Sequence, residues 1–514
     1  MNKILLLCTL FFLAAGAQAQ QDLFPCGTPS YKSKWLKEYQ LDPSAYDTKD
    51  DEILRVPLTI HLLGSDAGTG YFSKSSLMDA LCTLNDDFVD SEIEFFIEGD
   101  INYIANSAYN NHETVLEGAE MMFEHNVENT INCYFVSDPA GNCGYNLPYA
   151  GMAVAKGCAA PTDHTWAHEM GHGLSIPHPF LGWEGGYGYD GSPVTSWNNP
   201  APDTVLYDYT FFQDVYYSAD TLIVDTAVVE RLDGSNCTFA ADGFCDTAPD
   251  YIAYRWNCNE DGVSTPILHD PNDETFQADG SLIMSYANDG CSYRFSEEQT
   301  AAMRANLIDE KPEVLYNQDP GPALGSVAIV APANEGLAPY QNTLLDWEDT
   351  ENAVGYLVKL EVFLGSSAIV FKRYETTESQ VVIEDDLNIG SNYRWTVRAY
   401  NAYNFCADTY SAEGLFTAAD ISSVREPEGL RHFSIFPNVQ DAGAVIVHVN
   451  ADFEQAKDLD WSLTDVTGRV VRAGSYGSVA ALRTRTELGE LSAGLYFFAL
   501  QTKTGTTVRK IVVR

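Results

Sequence analysis

The segment HEMGHGLSIPH, residues 168–178, constrains this 514-residue chain more than any other stretch. On an α-helix His168 and His172 lie on one face, so both imidazoles can reach a single metal ion at about 2.0–2.1 Å. Glu169 points elsewhere, where it can act as a general base on a metal-bound water instead of coordinating the metal. With His178 as a third ligand and water as the fourth, the segment predicts a catalytic zinc site.

The residues around the two helical histidines predict where that helix begins and ends. Thr162 or Asp163 can serve as its N-cap, and Ser175 and Pro177 are among the residues that interrupt it. A helix that continued would carry His178 away from the other two ligands. The predicted geometry therefore needs these breaks.

The zinc segment resembles the metzincin metallopeptidases, whose pattern HExxHxxGxxH is followed by a methionine-containing turn. Ser175 stands where that family usually has glycine, and a left-handed backbone there would cost roughly 1–2 kcal/mol. Residues 281–291, SLIMSYANDGC, are similar to the methionine turn. The resemblance implies Met284 as the apolar floor beneath the metal and Tyr286 as a hydrogen-bond donor to the developing oxyanion.

Residues 236–250 and 294–307 extend the resemblance to the pappalysin-like branch of the metzincins. That branch implies a calcium ion bound by oxygen ligands, with Asp242 and Thr247 at the matching positions. A solvated acidic loop is an equally good interpretation of the same residues. The branch also implies that Asp289 floors the pocket for the residue after the scissile bond, which favours arginine or lysine there.

The chain carries the signals of an exported, acidic protein. Its first residues, with Lys3, an apolar run and an AQA site, predict a signal peptide, and no second apolar run is long enough to span a membrane. The formal net charge is −44, although residues 431–514 hold ten Lys/Arg against eight Asp/Glu. Such an acidic body repels phosphate, so nucleic acid is not an expected partner.

Cysteines in an exported chain favour disulfides over a thiolate cluster. Spacing and the family resemblance together suggest three pairs and a weaker fourth: Cys143–Cys158, Cys237–Cys245, Cys258–Cys291 and, fourth, Cys82–Cys133. Cys26 and Cys406 would remain single. Cys26 lies in the motif PCGT, and in related zymogens a cysteine before glycine in the prosegment occupies the open zinc position. A disulfide partner is the alternative role for Cys26.

The predicted fold class is an α/β (α+β) catalytic domain with a zinc-binding helix, followed by two all-β sandwich domains. Residues 56–64 and 92–97 predict strands around a helix at 75–89. Either 131–138 or 151–157 is expected to form the sheet edge along which an extended peptide lies. The expected segments are a signal peptide (1–19), a prosegment with little periodic structure (20–54), the peptidase domain (55–318), a fibronectin-like domain (325–418) and a C-terminal domain (430–514).

The two C-terminal segments each resemble a known β domain. Residues 327–417 are similar to a fibronectin type III sandwich, which implies a core of aromatic residues, namely Trp347, Tyr356, Tyr393 and Trp395. The last segment has a PN turn, a DxxGR hairpin, a GLYF strand and a basic final strand. This pattern resembles the sorting domain of the bacterial type IX secretion pathway, and a plain adhesion sandwich is the alternative.

Two functional hypotheses follow. The first is a secreted zinc endopeptidase, expected as a monomer outside or on the surface of a Gram-negative bacterium, with protein substrates and the type IX machinery as partners. The second is a non-catalytic surface adhesion protein that retains the fold. The complete set of His168, Glu169, His172 and His178 favours the enzyme.

Overall fold

The computed structural model describes residues 23–28, 31–49, 52–184, 200–208, 224–332, 336–406, 411–419, 427–466, 469–503 and 505–514. The predicted signal peptide lies outside these residues. Within them, no helix has both the length and the apolar character needed to cross a membrane. The chain forms two compact units, of which the first contains residues 1–325, 352–354 and 399–410 and the second contains the remainder.

The described residues form mainly β-structure with short helices. The α-helices are α1 (Lys34–Leu41), α2 (Lys74–Asp87), α3 (Ser107–Asn110), α4 (Val115–His125), α5 (Thr165–Gly173) and α6 (Glu297–Asp309). Short 3₁₀ helices cover Pro43–Ala45, Val89–Ser91, Lys156–Cys158 and Pro312–Leu315.

The strands of the first unit are β1 (Leu54–Gly64), β2 (Ile93–Ile97), β3 (Asn102–Ala105), β4 (Asn111–His112), β5 (Ile131–Val136), β6 (Asp138–Pro139), β7 (Gly144–Leu147), β8 (Gly151–Ala155), β9 (Thr204–Asp208), β10 (Val224–Val228), β11 (Leu268–His269) and β12 (Thr275–Phe276). The strands of the second unit are β13 (Ile329–Ala331), β14 (Gly336–Pro339), β15 (Thr343–Trp347), β16 (Gly355–Leu364), β17 (Ser367–Thr376), β18 (Gln380–Ile383), β19 (Asn392–Tyr400), β20 (Ser411–Ala419), β21 (Leu430–Phe436), β22 (Val439–Gln440), β23 (Gly443–Asp465), β24 (Val470–Leu491), β25 (Gly494–Thr502) and β26 (Gly505–Val513).

A 6-stranded sheet organises the first unit, with strand order β2-β1-β5-β8-β7 and β3 also paired with β1. Strand β1 is buried almost throughout, as expected of a parallel strand covered on both faces. Strand β7 pairs antiparallel with β8 and ends the sheet. The prediction that 131–138 or 151–157 forms the edge was therefore wrong, because β5 and β8 are both interior strands. The short turn between β7 and β8 lets β7 pair antiparallel with β8, and β7 is the edge strand.

The predicted prosegment contains more regular structure than its composition indicated. Helix α1 begins after Ser33, whose hydroxyl accepts a hydrogen bond from the Leu36 amide at 3.0 Å. Trp35, Leu36 and Tyr39 are buried, and the Trp35 indole donates to Asp309 at 2.8 Å. The apolar face of α1 therefore packs as part of the first unit.

Four disulfides are present among the described residues. Three confirm the predicted pairs: Cys143–Cys158, Cys237–Cys245 and Cys258–Cys291. The weaker fourth prediction, Cys82–Cys133, was wrong, because Cys82 bonds Cys406 across 324 positions of sequence. Cys133 is a free thiol buried in the interior strand β5, and Cys406 is not single. Proximity in sequence gave no guide to this long-range pair.

The second unit is all β-structure among its described residues. Its first part has one sheet ordered β13-β15-β18 and another ordered β14-β20-β19-β16-β17, and the four aromatic residues predicted for its core are buried. Its second part is a 6-stranded sheet ordered β21-β23-β25-β26-β22, with β24 paired to β23. The apolar residues of alternating strand positions, such as Val445, Val447 and Val449, form the core of this second part.

Candidate metal centre and active-site cleft

Helix α5 ends in a turn that brings a third histidine back towards the helix. The Ser175 amide donates to the His172 carbonyl at 2.9 Å, and the Ile176 amide donates to the Gly171 carbonyl at 2.9 Å. These two bonds form a Schellman motif, which needs a left-handed residue, and Ser175 has φ of +70°. The left-handed conformation considered for Ser175 is therefore present.

The start of α5 differs by one residue from the prediction. His164 is the N-cap residue, and its side chain makes no capping bond. Asp163 lies one position earlier, where its carboxylate accepts a hydrogen bond from the Thr165 amide at 2.9 Å. Asp163 therefore accepts a hydrogen bond from an amide in the first turn of the helix, although it is not the N-cap residue.

Three imidazoles converge at one point, as the spacing predicted. The Nε2 atoms of His168, His172 and His178 lie 3.0–3.2 Å from one another. Tetrahedral coordination at about 2.0–2.1 Å would hold such donors roughly 3.3 Å apart, which is close to the observed separations. The arrangement therefore has the dimensions of a zinc site.

The hydrogen bonds behind the three rings fix their tautomers. The Nδ1 atoms of His168 and His172 lie 2.8 Å from the carbonyl oxygens of Ile283 and Ile176, and that of His178 lies 3.0 Å from Glu184. Carbonyl and carboxylate oxygens accept, so each Nδ1 carries the proton and each Nε2 presents a lone pair. Three lone pairs this close repel one another unless a cation lies between them, so the donor set fits a divalent metal.

Burial keeps the imidazoles of His168 and His172 neutral. Desolvation lowers the pKa of His168 and His172 well below the ordinary histidine value, and the neighbouring His178 lowers it further. Neutral imidazole is the form that binds metal. The electrostatics of the cluster therefore agree with its geometry.

Cys26 supplies a fourth donor to the cluster. Its Sγ lies 3.6 Å from His172 Nε2, and the donor atoms of Cys26 and the three histidines all lie within 4.8 Å of one another. In the part of the chain that the structure describes, these four residues are the group that could hold a metal through at least three His, Cys, Asp or Glu ligands. A Cys1His3 set is one that zinc readily accepts.

Glu169 is fully buried beside this cluster without being one of its ligands. Burial raises its pKa to about 8. Oε2 accepts a hydrogen bond from the Thr28 hydroxyl at 2.6 Å, while Oε1 is buried without a hydrogen-bond partner. A side chain at Gly144 would lie 2.8 Å from the Glu169 Cγ, so glycine is what allows β7 to pass so close.

The methionine turn lies beneath α5, and the tyrosine lies beside the cluster. A Cβ at Gly171 would come within 2.4 Å of the Met284 Sδ, so the glycine admits the buried methionine. The Tyr286 ring is centred 4.9 Å from that of His178, and its hydroxyl donates to the Cys26 carbonyl at 3.4 Å. Tyr286 therefore lies beside His178 and Met284 packs against α5, while their roles as oxyanion donor and floor of the metal site stay predictions.

Asp289 lines a small cleft that His168 and Tyr286 also line. One Asp289 oxygen lies 3.4 Å from the His164 amide and 3.9 Å from the Arg255 guanidinium. The sequence gave no reason to single out Arg255. A substrate side chain that enters this cleft would therefore meet the positive charge of Arg255 beside Asp289.

The predicted calcium residues are adjacent. The Thr247 hydroxyl donates to the carboxylate of buried Asp242, with both oxygens at 3.2 Å, and burial raises the Asp242 pKa to about 7. The carbonyl of Asp242 accepts from Gln40 at 2.8 Å. The assignment of calcium to Asp242 and Thr247 stays a prediction.

Sequence reasoning missed Thr28 and Glu184, which touch Glu169 and His178 respectively. Thr28 follows Cys26 in the PCGT motif, and that adjacency was the signal that could have found it. Glu184 lies six positions after His178 and has no comparable signal, because its role depends on the turn at Gly182, whose amide donates to Glu184 at 2.7 Å.

Comparison with known proteins identifies the family of the C-terminal segment. Residues 434–514 match the family described as the secretion system C-terminal sorting domain. This segment is a type IX sorting domain. The sorting domain confirms the sequence prediction and implies delivery by the type IX machinery to the outside or the outer surface of the cell.

Three further proteins are similar to parts of the chain. An extracellular metalloprotease of Pyricularia oryzae is 25% identical over 211 residues, which cover 35% of this chain and 74% of that protein. A solved structure of a mutant promirolysin from Tannerella forsythia is 15% identical, with 57% of this chain and 98% of that chain covered and a TM-score of 0.36. The FN1–FN3 domains of chicken CNTN1 are 16% identical, with 37% and 67% covered and a TM-score of 0.16. The sequence similarity to the metalloprotease supports a protease family.

Proposed function

We propose that the first unit is a zinc endopeptidase that cleaves extracellular proteins after export through the type IX pathway. The observation that carries this proposal is the convergence of three unprotonated Nε2 atoms within 3.0–3.2 Å of one another, next to a buried glutamate. A non-catalytic adhesion protein has no need for such a donor set. The similarity to an extracellular metalloprotease is consistent with the same activity.

Each residue of the cleft has a role in this proposal. His168, His172 and His178 hold the zinc, which when bound supplies Lewis acidity to the scissile carbonyl and to water. Glu169 takes the proton of the attacking water and returns it to the leaving amine, a role open to a carboxylate that lies beside the histidine cluster without being one of its ligands. Tyr286 donates a hydrogen bond to the oxygen that becomes negative in the transition state.

The predicted substrate and calcium features are part of the proposal. Asp289 would receive an arginine or lysine that follows the scissile bond, because its carboxylate lines the cleft shared with His168 and Tyr286. Asp242 and Thr247 would bind calcium through their oxygen atoms. Loss of a basic preference in Asp289→Ala, and calcium-dependent melting that Asp242→Asn abolishes, are the expected observations.

Latency is the proposed role of the segment 20–54. The Cys26 side chain would hold the metal together with the three histidines and would so keep water from it until the segment is removed. The free, buried state of Cys26 supports this role over that of a disulfide partner.

Casein hydrolysis by the processed protein from culture medium tests the activity. Hydrolysis should stop with a chelator, return with zinc, and fall about 100- to 10,000-fold in Glu169→Gln, which keeps the shape of the side chain without its basicity. Glu120→Gln, at an exposed position of α4, is the matched control and should retain activity. Chelator-resistant hydrolysis, or full activity in Glu169→Gln, would contradict the proposal.

A further inference from the structure

Thr28 donates a hydrogen bond to Glu169, the proposed general base. The Asn146 amide donates to Thr28 Oγ1 at 2.7 Å, and Thr28 Oγ1 lies 2.6 Å from Glu169 Oε2. Thr28 Oγ1 thus accepts from the amide of Asn146, and its hydroxyl donates to the carboxylate of Glu169. The hydroxyl therefore bridges the edge strand β7 and Glu169.

The backbone on either side of this hydroxyl also follows the edge strand. Phe24 accepts a hydrogen bond from the Cys143 amide at 2.7 Å, and the Gly27 amide donates to the Gly144 carbonyl at 2.8 Å. The bridge between Phe24 and Asn142 is parallel. Residues 24–28, the latch segment, thus occupy the edge of the sheet, where an extended peptide could pair.

The latch segment reaches three distinct groups of the cleft. The Cys26 thiol lies at the histidine cluster, and the Cys26 carbonyl accepts a hydrogen bond from the Tyr286 hydroxyl at 3.4 Å. The Thr28 hydroxyl donates a hydrogen bond to Glu169. The contact of Thr28 with Glu169 needs no metal, since it joins two side chains of the protein. This contact can therefore be tested apart from any bond that Cys26 would make to a metal.

We propose that Thr28 is a second autoinhibitory residue, which holds Glu169 in the zymogen in addition to the Cys26 thiol. This inference rests on the proposed peptidase function. Without the hydroxyl, Oε2 of Glu169 would lose the hydrogen bond from Thr28, and that oxygen would be left for water. Release of Cys26 alone would thus leave the zymogen partly latent.

The test compares full-length zymogens before processing, with intact chains verified by mass spectrometry. The variants are Cys26→Ala, Thr28→Val, both together, and Thr28→Ser as the control that keeps the hydroxyl. The net contribution of an intramolecular hydrogen bond corresponds to about 2- to 10-fold, so the double variant should cleave a fluorogenic peptide faster than Cys26→Ala by that factor. Cys26→Ala with Thr28→Ser should match Cys26→Ala.

A second readout does not depend on activity. In chelator-treated zymogen, amide hydrogen exchange across the latch segment should be faster in Thr28→Val than in the parent and unchanged in Thr28→Ser. Equal peptide cleavage by Cys26→Ala and the double variant, with equal exchange in Thr28→Val and parent, would overturn the role of Thr28. An inactive processed parent protein would instead refute the peptidase proposal, and these two failures are therefore distinguishable.

Discussion

The histidine cluster and the latch segment meet at the same point but reach it by different routes. The cluster comes from residues 168–178, joined by one helix and its C-terminal turn. The latch segment comes from a position 146 residues before His172, and backbone pairing with β7 holds it there. Ligand spacing within one helix is set by local geometry, whereas the approach of a distant segment is set by the edge of the folded sheet.

The largest expected effect comes from breaking the local cluster. His172→Ala removes one of the three Nε2 donors, so we expect the purified protein to lose its zinc and all measurable hydrolysis after processing. Zinc content by plasma mass spectrometry checks this result. His432→Ala, an exposed histidine of the second unit, should keep both zinc and activity, and retention of stoichiometric zinc in His172→Ala would contradict the assignment.

The second largest effect is expected on stability, from the disulfide between Cys82 and Cys406. Replacing both Cys82 and Cys406 by alanine removes the disulfide that closes 324 positions of sequence, and we expect the unfolding free energy to fall by about 2–4 kcal/mol. Denaturant unfolding of the first unit measures the change. Peptide mapping without reductant should recover the Cys82–Cys406 pair, and recovery of Cys82 joined to Cys133 would refute it.

Packing beneath the helix should give a smaller effect. Gly171→Ala places a methyl group 2.4 Å from Met284 Sδ and should destabilise the fold by about 1–3 kcal/mol. Gly173→Ala is the matched control, since its new methyl group would meet nothing closer than 3.4 Å. Thermal melting of the two variants compares them, and equal melting temperatures would show that Met284 does not pack against this face of α5.

The smallest effect is expected from the carboxylate behind His178. Glu184→Ala removes the acceptor that holds the Nδ1 proton, so we expect zinc affinity to fall about tenfold. Competition with a zinc-binding dye measures the affinity. Glu184→Gln retains an acceptor oxygen and should recover part of it, and unchanged affinity in Glu184→Ala would show that this carboxylate does not orient the ring.

Much of the cluster was predictable because its determinants are local. The spacing of His168 and His172, the break after α5 and the three short-range disulfides all depend on residues close in sequence. The edge strand, Thr28, Glu184 and the Cys82–Cys406 bond were not predicted, since each depends on which surfaces meet after the sheet has formed. Aromatic burial in the second unit was implied by the resemblance to a fibronectin type III sandwich, and the four residues are buried.

X-ray absorption at the zinc edge of the intact, zinc-loaded zymogen tests most directly whether the two regions share one metal. We expect three nitrogen ligands at about 2.0–2.1 Å and one sulfur at about 2.3 Å, with the sulfur replaced by oxygen in Cys26→Ala. A zymogen that takes up no zinc, or one whose zinc shows no sulfur ligand, would contradict the convergence of Cys26 with His168, His172 and His178.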